Sequence, residues 1–539
     1  MRFSYRSDPA QGSTGWALVS HGVGEKLFTV DSTDTVVPQL ATTAVRASTN
    51  EWTVTLAAGR FFSDGSAVTA ADVAASLGRT NADNNAAQSS CGVMTFTATN
   101  PTTLSITTTV PTPVMMSVLA EWAFVVYKTL PGDTRIFTGP YAIQTLAADS
   151  LSAVPNTYYP NYAEGERLPL LITRYSSGPA CTTALSNNEI DLAFNLPSGS
   201  ASTLNWVDDV TVKSYPVGYQ YMMFFNTQRA TLSDAAVRRA LALAVDRTAL
   251  SRATHPVGLS DTTINEAVAT GAFPANTPWG ATSVHPRLAT DATAAAAALT
   301  TAGWVLDTTT GVRMNNGVPL NVDLVYYTFR SDLVTMAPLI AAQLTAVGAN
   351  VTVRVDDSGN YMTGAGFDLL LWAQHTLPAG DPNWFLETFF QSQSAPITGS
   401  WAAQNFAMHS STAIDNALAA LRNAEGTARA TASAAAHNLI LNEAPATFLT
   451  SPTWHVGVRG RVSTYTPWGS DYYVVKANMG DSLAGASTST TDTTIPLYIA
   501  IGVLALAFVV ALISAIAYRS MLKKVEVSKK PADKPADNL

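Results

Sequence analysis

Charge is scarce in this chain. Only 13% of its 539 residues are Asp, Glu, Lys or Arg, against roughly 25% in an average globular protein. Hydrophobic residues make up 47%, which excludes disorder along the whole length, and the length supplies material for at least two sizeable cores. Cysteine is nearly missing: Cys91 and Cys181 are the two present, too few for a disulfide-dense scaffold. Sequence alone leaves open whether they bond to each other or stay as buried thiols. The body also lacks basic clusters. The net charge is −8, yet the last twenty-one residues hold six cations against three anions, so residues 1–518 carry −11. Such a body repels phosphate backbones, which excludes nucleic acid as a partner. Catalytic signatures are missing as well, with no G-x-S-x-G, H-E-x-x-H or C-x-x-C, and no two of the seven histidines lie four residues apart. Gly22-Val23-Gly24-Glu25-Lys26 lacks the G-K-[ST] ending of a phosphate loop and reads as a turn. The expectation is a protein that is not an enzyme.

One long apolar run is present. Ile495 to Tyr518 contains no charged residue, and about twenty such residues at ~1.5 Å each cross the ~30 Å hydrocarbon layer. We expect a transmembrane helix over 495–518. Cations follow it directly, which predicts a cytoplasmic basic tail over 519–539 and a body held outside the plasma membrane by a single pass. Residues 479–494, rich in Ser, Thr, Gly and Ala, read as a flexible linker. The opening MRFSYRSDPAQ has no apolar core of a secretory signal and reads as strand then turn. An outward body therefore implies either a signal upstream of these residues or insertion through the C-terminal helix.

Within the body, Trp52, Val54 and Leu56 share one face of a strand, and a Ser63-Asp64-Gly65 turn follows. Thr69 and Asp72 form a capping box for the next helix. From Ser233 the period becomes helical, with Val237, Leu241, Ala244 and Val245 on one face. Strand 320–327, helix 332–347 and strand 350–355 read as a right-handed β-α-β unit, and FDLLLWA (367–373) as a further buried strand. Two Ala-rich helices, 412–423 and 427–442, precede a stretch of strand character over 446–458. This predicts an α/β body of two lobes.

At this point a family resemblance enters. W-T-V-T-L-A-A-G-R-F-F-S-D-G-S-A-V-T-A-A-D-V (52–73), F-T-G-P-Y (137–141), N-N-E-I-D-L (187–192), F-F-N…V-R-R-A-L-A-L-A-V-D-R (224–247), D-A-T…T-A-G-W (291–304) and D-L-L-L-W…G-D-P-N-W-F-L (368–386) occur in order. Together they resemble the family 5 solute-binding proteins of ABC importers, which carry dipeptides, oligopeptides or nickel chelates. Ala57 departs from the pattern, standing where the family usually has Arg or Lys. The resemblance implies a bilobal, periplasmic-binding-protein-like fold of type II, cluster C, closing on a ligand by hinge motion. Lobe I would be 1–226 with a return segment 448–478, lobe II 227–447, and the hinge would lie near Asn226 and Ala446. The implied partners are a small peptide-like or metal-chelate ligand and an ABC permease; a surface receptor or sensor without a transport partner is the alternative.

The resemblance also places the ligand between the lobes, near the loop after FDLLLW. Peptide binders end that strand W-x-x-D, where the carboxylate meets the ligand's amino group. Here the spacing gives Trp372-Ala373-Gln374-His375, and a neutral imidazole is no anionic partner for an ammonium. His375 is either a ligand to a transition metal, a hydrogen-bonding group toward a chelator, or a loop histidine with no ligand. No certain cofactor is implied; a transition-metal chelate would be cargo. Arginines that nickel-binding relatives use in the first lobe have no counterpart in LAEWAFVVYK (119–128). The remaining candidate pocket walls are Trp16, Trp122, Tyr219, Tyr221, Trp372 and Trp384, side chains with a large apolar body and a polar tip. Asp381 is expected to turn its loop with Pro382.

Overall fold

The computed structural model describes residues 7–31, 35–88, 91–164, 167–256, 259–275, 277–281, 283, 285–328, 330–363, 366–392, 404–469, 472–476 and 497–502. Two large sheets organise it. The first has seven strands in the order Val210–Pro216, Thr453–Arg459, Leu192–Phe194, Leu497–Gly502, Leu170–Tyr175, Ser150–Pro155 and Tyr141–Leu146. The second has five, in the order Asn350–Val355, Asn321–Tyr326, Leu369–His375, Tyr219–Phe225 and Ala446–Thr450. Each forms one lobe. A four-stranded antiparallel sheet that includes Ala41–Ser48 and Glu51–Leu56 extends the first lobe.

Local chemistry explains the elements. Thr69 accepts from the Asp72 amide and Asp72 accepts from the Thr69 amide, so two of the orphan donors of the Ala70–Asp83 helix are satisfied reciprocally. Asn321–Tyr326 and Asn350–Val355 pair in parallel, Asn321 opposite Asn350, joined by the Ser331–Ala346 helix as the β-α-β reading predicts. The Leu369–His375 strand lies antiparallel beside Tyr219–Phe225, all seven of whose residues are buried. The helical pattern from Ser233 is two helices, Ala235–Leu243 and Arg247–Thr254, the second capped by Asp246.

Three expectations are corrected. The lobes cross at 217–218 and 451–452: Tyr219–Phe225 and Ala446–Thr450 belong to the second sheet, while Val210–Pro216 and Thr453–Arg459 belong to the first. Asn226 and Ala446 are therefore interior to the second lobe. Asn226 Nδ2 donates to the Phe367 carbonyl at 3.1 Å, and Ala446 pairs with Phe224. The stretch 446–458 divides at Ser451-Pro452, since Pro cannot donate to a ladder and marks the exit from one sheet. Finally, Leu497–Gly502, expected as the start of a membrane helix, is a strand. It runs parallel to both Leu170–Tyr175 and Leu192–Phe194, supplying ladder partners to the facing edges of two strands. Among the described residues no helix is long and apolar enough to cross a membrane; residues 503–518 of the expected span, the linker 479–494 and the tail lie outside the described residues. Cys91 and Cys181 are buried in separate clusters and are not joined in a disulfide, so of the two readings the buried thiols hold.

Candidate functional site between the lobes

The Leu369–His375 strand delivers His375 to the hinge, opposite Tyr219 in the ladder. There the imidazole lies edge-on to Tyr219, ring centroids 5.4 Å apart, and to Tyr472 of the first lobe at 5.3 Å. Tyr472 in turn meets Trp16, which the Thr14–Ser20 helix carries, at 6.4 Å. On its other side Tyr219 packs against Trp454 at 4.7 Å. The Arg330 guanidinium, just ahead of the Ser331–Ala346 helix, sits 4.8 Å from the Tyr219 ring and 4.5 Å from Trp454, and it donates to Tyr219 Oη at 3.2 Å. Residues of both lobes thus form one aromatic row ending on a buried cation. Such faces hold a cation by their ring quadrupoles, and burial makes each polar contact count for more than in water.

The Leu377 amide donates to His375 Nδ1 at 3.2 Å. A neutral ring so held carries its proton on Nε2, which is a donor and offers no lone pair to a metal. Among the described residues no group of three or more His, Cys, Asp or Glu could hold a metal ion.

The other candidates divide. Trp16, Tyr219 and His375 come together. Trp122 is buried behind the Trp16 helix, its carbonyl 2.5 Å from where a Cβ on Gly15 would stand. Tyr221 points into the second lobe and donates to Asp332 at 2.6 Å. Burial raises the Asp332 carboxyl to about 6, against the pull of Tyr221 and Arg330. Trp372 packs within the same lobe among Phe406, Tyr327 and Tyr361 at 4.9, 5.1 and 5.6 Å. Trp384 meets Phe389 at 6.2 Å. These four are core, the ordinary fate of aromatics in such a fold. Asp381 turns its loop as expected, accepting from the Asn383 amide at 2.9 Å and pairing with Arg429 at 2.6 and 2.7 Å. Tyr472, Trp454 and Arg330 escaped the sequence reading; the signal available was the return of the chain to the first lobe after residue 452, which carries two of them.

Beside this row a cavity of about 1170 Å³ spans the lobes, with Tyr215, Val217 and Trp468 on the first-lobe side and Asn265, Glu266 and Thr270 on the second. Gly218 lines it, and His375 packs against the same glycine. Among the described lining residues Glu266 is the charged one; the others include small hydroxyls, the Asn265 amide, the Tyr215 phenol, prolines and apolar groups.

Comparison with known proteins agrees with this architecture. The profile of the bacterial extracellular solute-binding proteins, family 5, matches residues 35–396. The periplasmic murein peptide-binding protein MppA of Escherichia coli is 27% identical over 248 residues, a stretch covering 39% of this chain and 45% of that relative. Among solved structures, NikA of Staphylococcus aureus in complex with Ni(L-His)2 superposes with a TM-score of 0.74 at 17% identity, covering 88% of this chain and 97% of that one. The oligopeptide-binding protein AppA of Bacillus subtilis, in complex with a nonapeptide, gives 0.71 at 14% identity, covering 89% and 95%. A two-lobed α/β fold with its aromatic and charged groups gathered between the lobes, matched over most of its length by that profile, places the chain in the family 5 extracellular solute-binding proteins.

Proposed function

We propose that this protein is an extracytoplasmic receptor that captures a small solute between its lobes and hands it to an ABC permease, working by binding and not by turnover. The ligand is peptide-like. The observation that carries this reading is the interlobe cavity of about 1170 Å³ with Glu266 in its lining. It exceeds the few hundred Å³ of many small-ligand sites, and its hydroxyls and amides suit the repeated donors and acceptors of a peptide backbone. Glu266 offers the carboxylate that the W-x-x-D position, here His375, does not. The Arg330 guanidinium suits a ligand carboxylate, because charge-assisted hydrogen bonds to carboxylates are the strong ones. A metal chelate presenting carboxylates is the second reading, favoured by that same cation. Calorimetry of the full chain with tri- to nonapeptides and with Ni(L-His)2 separates the two. Glu266→Gln should weaken peptide binding about tenfold, the loss of one charged hydrogen bond, and unchanged affinity removes Glu266 from the site.

The membrane-bound form is tethered through residues 495–518, with the body outside and 519–539 in the cytoplasm. A helix over the sixteen residues 503–518 alone would be about 24 Å long, short of the ~30 Å hydrocarbon layer. The span therefore recruits the 497–502 strand, and insertion and sheet pairing are alternatives for that segment. Flotation with liposomes tests the tether: the full chain should float and a chain ending at 494 should not. Co-purification of a permease distinguishes import from a receptor without a transport partner.

A further inference from the structure

One contact joins the lobes by charge. Arg46 lies on the Ala41–Ser48 strand of the first lobe and pairs with Glu425 of the second, 379 positions away in the chain. Glu425 occupies the N-cap of the Gly426–Glu443 helix in extended backbone geometry, yet its side chain makes no capping hydrogen bond and reaches across to Arg46 instead. Helices take Ser, Thr, Asp or Asn at that position for the capping bond, so Glu gives up local satisfaction for the distant partner. Arg46 is aimed in advance: its Nε donates to the Ser48 carbonyl at 3.0 Å and its Nη2 to the Thr49 carbonyl at 3.3 Å. A guanidinium already held by its own hairpin loses less freedom on pairing than a free one.

We propose that Arg46 and Glu425 form a latch across the mouth of the lobes that holds the closed form and slows ligand release. This rests on the capture reading and adds a determinant of affinity outside the pocket. The pair can form only when the lobes meet, so whatever it contributes goes to the closed state alone, which is the condition for shifting a two-state equilibrium. Arg46 and Glu425 side chains are 28% and 60% exposed. An exposed pair of this kind corresponds to about a two- to fivefold change in an equilibrium constant, enough to tune release without locking the receptor.

The test uses the full chain in detergent with nitroxides on Thr97→Cys and Ala419→Cys, both exposed and one on each lobe; the native thiols are buried and stay unlabelled. Arg46→Glu and Glu425→Arg should each lengthen and broaden the Thr97–Ala419 distance distribution at low salt, and the double reversal should restore it. About 1 M NaCl, where the screening length is ~3 Å, should do to the wild type what the single reversals do. Single reversals with wild-type distances, or a double reversal that fails to restore them, overturn the latch. Tripeptide binding by the same proteins is read separately by calorimetry: a wild type that binds no peptide counts against the capture reading, while the distances still decide the latch.

Discussion

A methyl group at Gly218 tests the junction most directly. A Cβ there would stand 2.5 Å from His375 Cε1, 2.7 Å from Nε2 and 3.3 Å from Nδ1. The ring has little room to yield, because Leu377 holds Nδ1 and Tyr219 and Tyr472 flank the imidazole. Overpacking of this kind costs about 1–3 kcal/mol. Replacing Gly by Ala also restricts the unfolded chain, a stabilisation of about 0.4–1 kcal/mol where the backbone tolerates it, so Gly218→Ala should lose roughly 1–2 kcal/mol net in urea unfolding. The cheapest relief is to part the lobes, since Tyr472 and His375 belong to different ones, and small-angle scattering should report a larger radius of gyration. His375→Ala removes the obstacle, so the double variant should recover most of the penalty that Gly218→Ala adds. Strictly additive losses, within about 0.5 kcal/mol, would refute the reasoning.

Asp332 makes stability depend on pH. Burial raises its carboxyl from 3.8 to about 6, so the native state binds the proton more tightly than the unfolded chain. Its contribution is complete below about pH 4 and is lost as pH rises toward 6. Asp332→Asn should flatten that part of the stability profile in urea titrations across this range, and an unchanged slope would count against the assignment. Thr69→Ala should cost about 1 kcal/mol by removing the capping box, read as a lower urea midpoint with unchanged slope. Burial pushes the Cys181 thiol up to about 12 and raises Cys91 as well, so neither should react with iodoacetamide at pH 8 until the protein is unfolded, and reduction should leave the intact mass unchanged.

What could be read in advance follows from how local each signal is. The capping box at Thr69 and Asp72, the β-α-β unit over 320–355 and the buried strand, expected at 367–373 and found at 369–375, are written in contiguous residues. The lobe crossings were misplaced because Val217-Gly218 and Ser451-Pro452 are two-residue breaks inside long runs of strand character. Nothing local reveals that the halves of such a run join different sheets. The site divides the same way. His375 and Tyr219 share a ladder rung, but Trp372, three residues from His375, faces Phe406 in the core. Alternation along a strand decides which of two neighbours reaches the cleft. Arg330 carried no signal at all, being a single Arg before a helix whose importance depends on Trp454, 124 positions later. The apolar run after Ile495 carries two signals at once, since its composition suits a bilayer and its first residues, 497–502, also fit a gap in a sheet.

Two links this short leave the molecule few ways to move. With 217–218 and 451–452 side by side at the ends of adjacent strands, sliding or twisting of one half over the other would stretch one link while slackening its neighbour. Rotation about a line through both is the motion that remains, and Pro452, with its backbone torsion fixed, stiffens one pivot while Gly218 frees the other. A swing about a single axis multiplies displacement with distance from it. A fraction of an ångström gained or lost at His375 becomes a far larger excursion at the outer rim, so small ligands seated near the axis can be reported at long range to whatever docks on the outer faces.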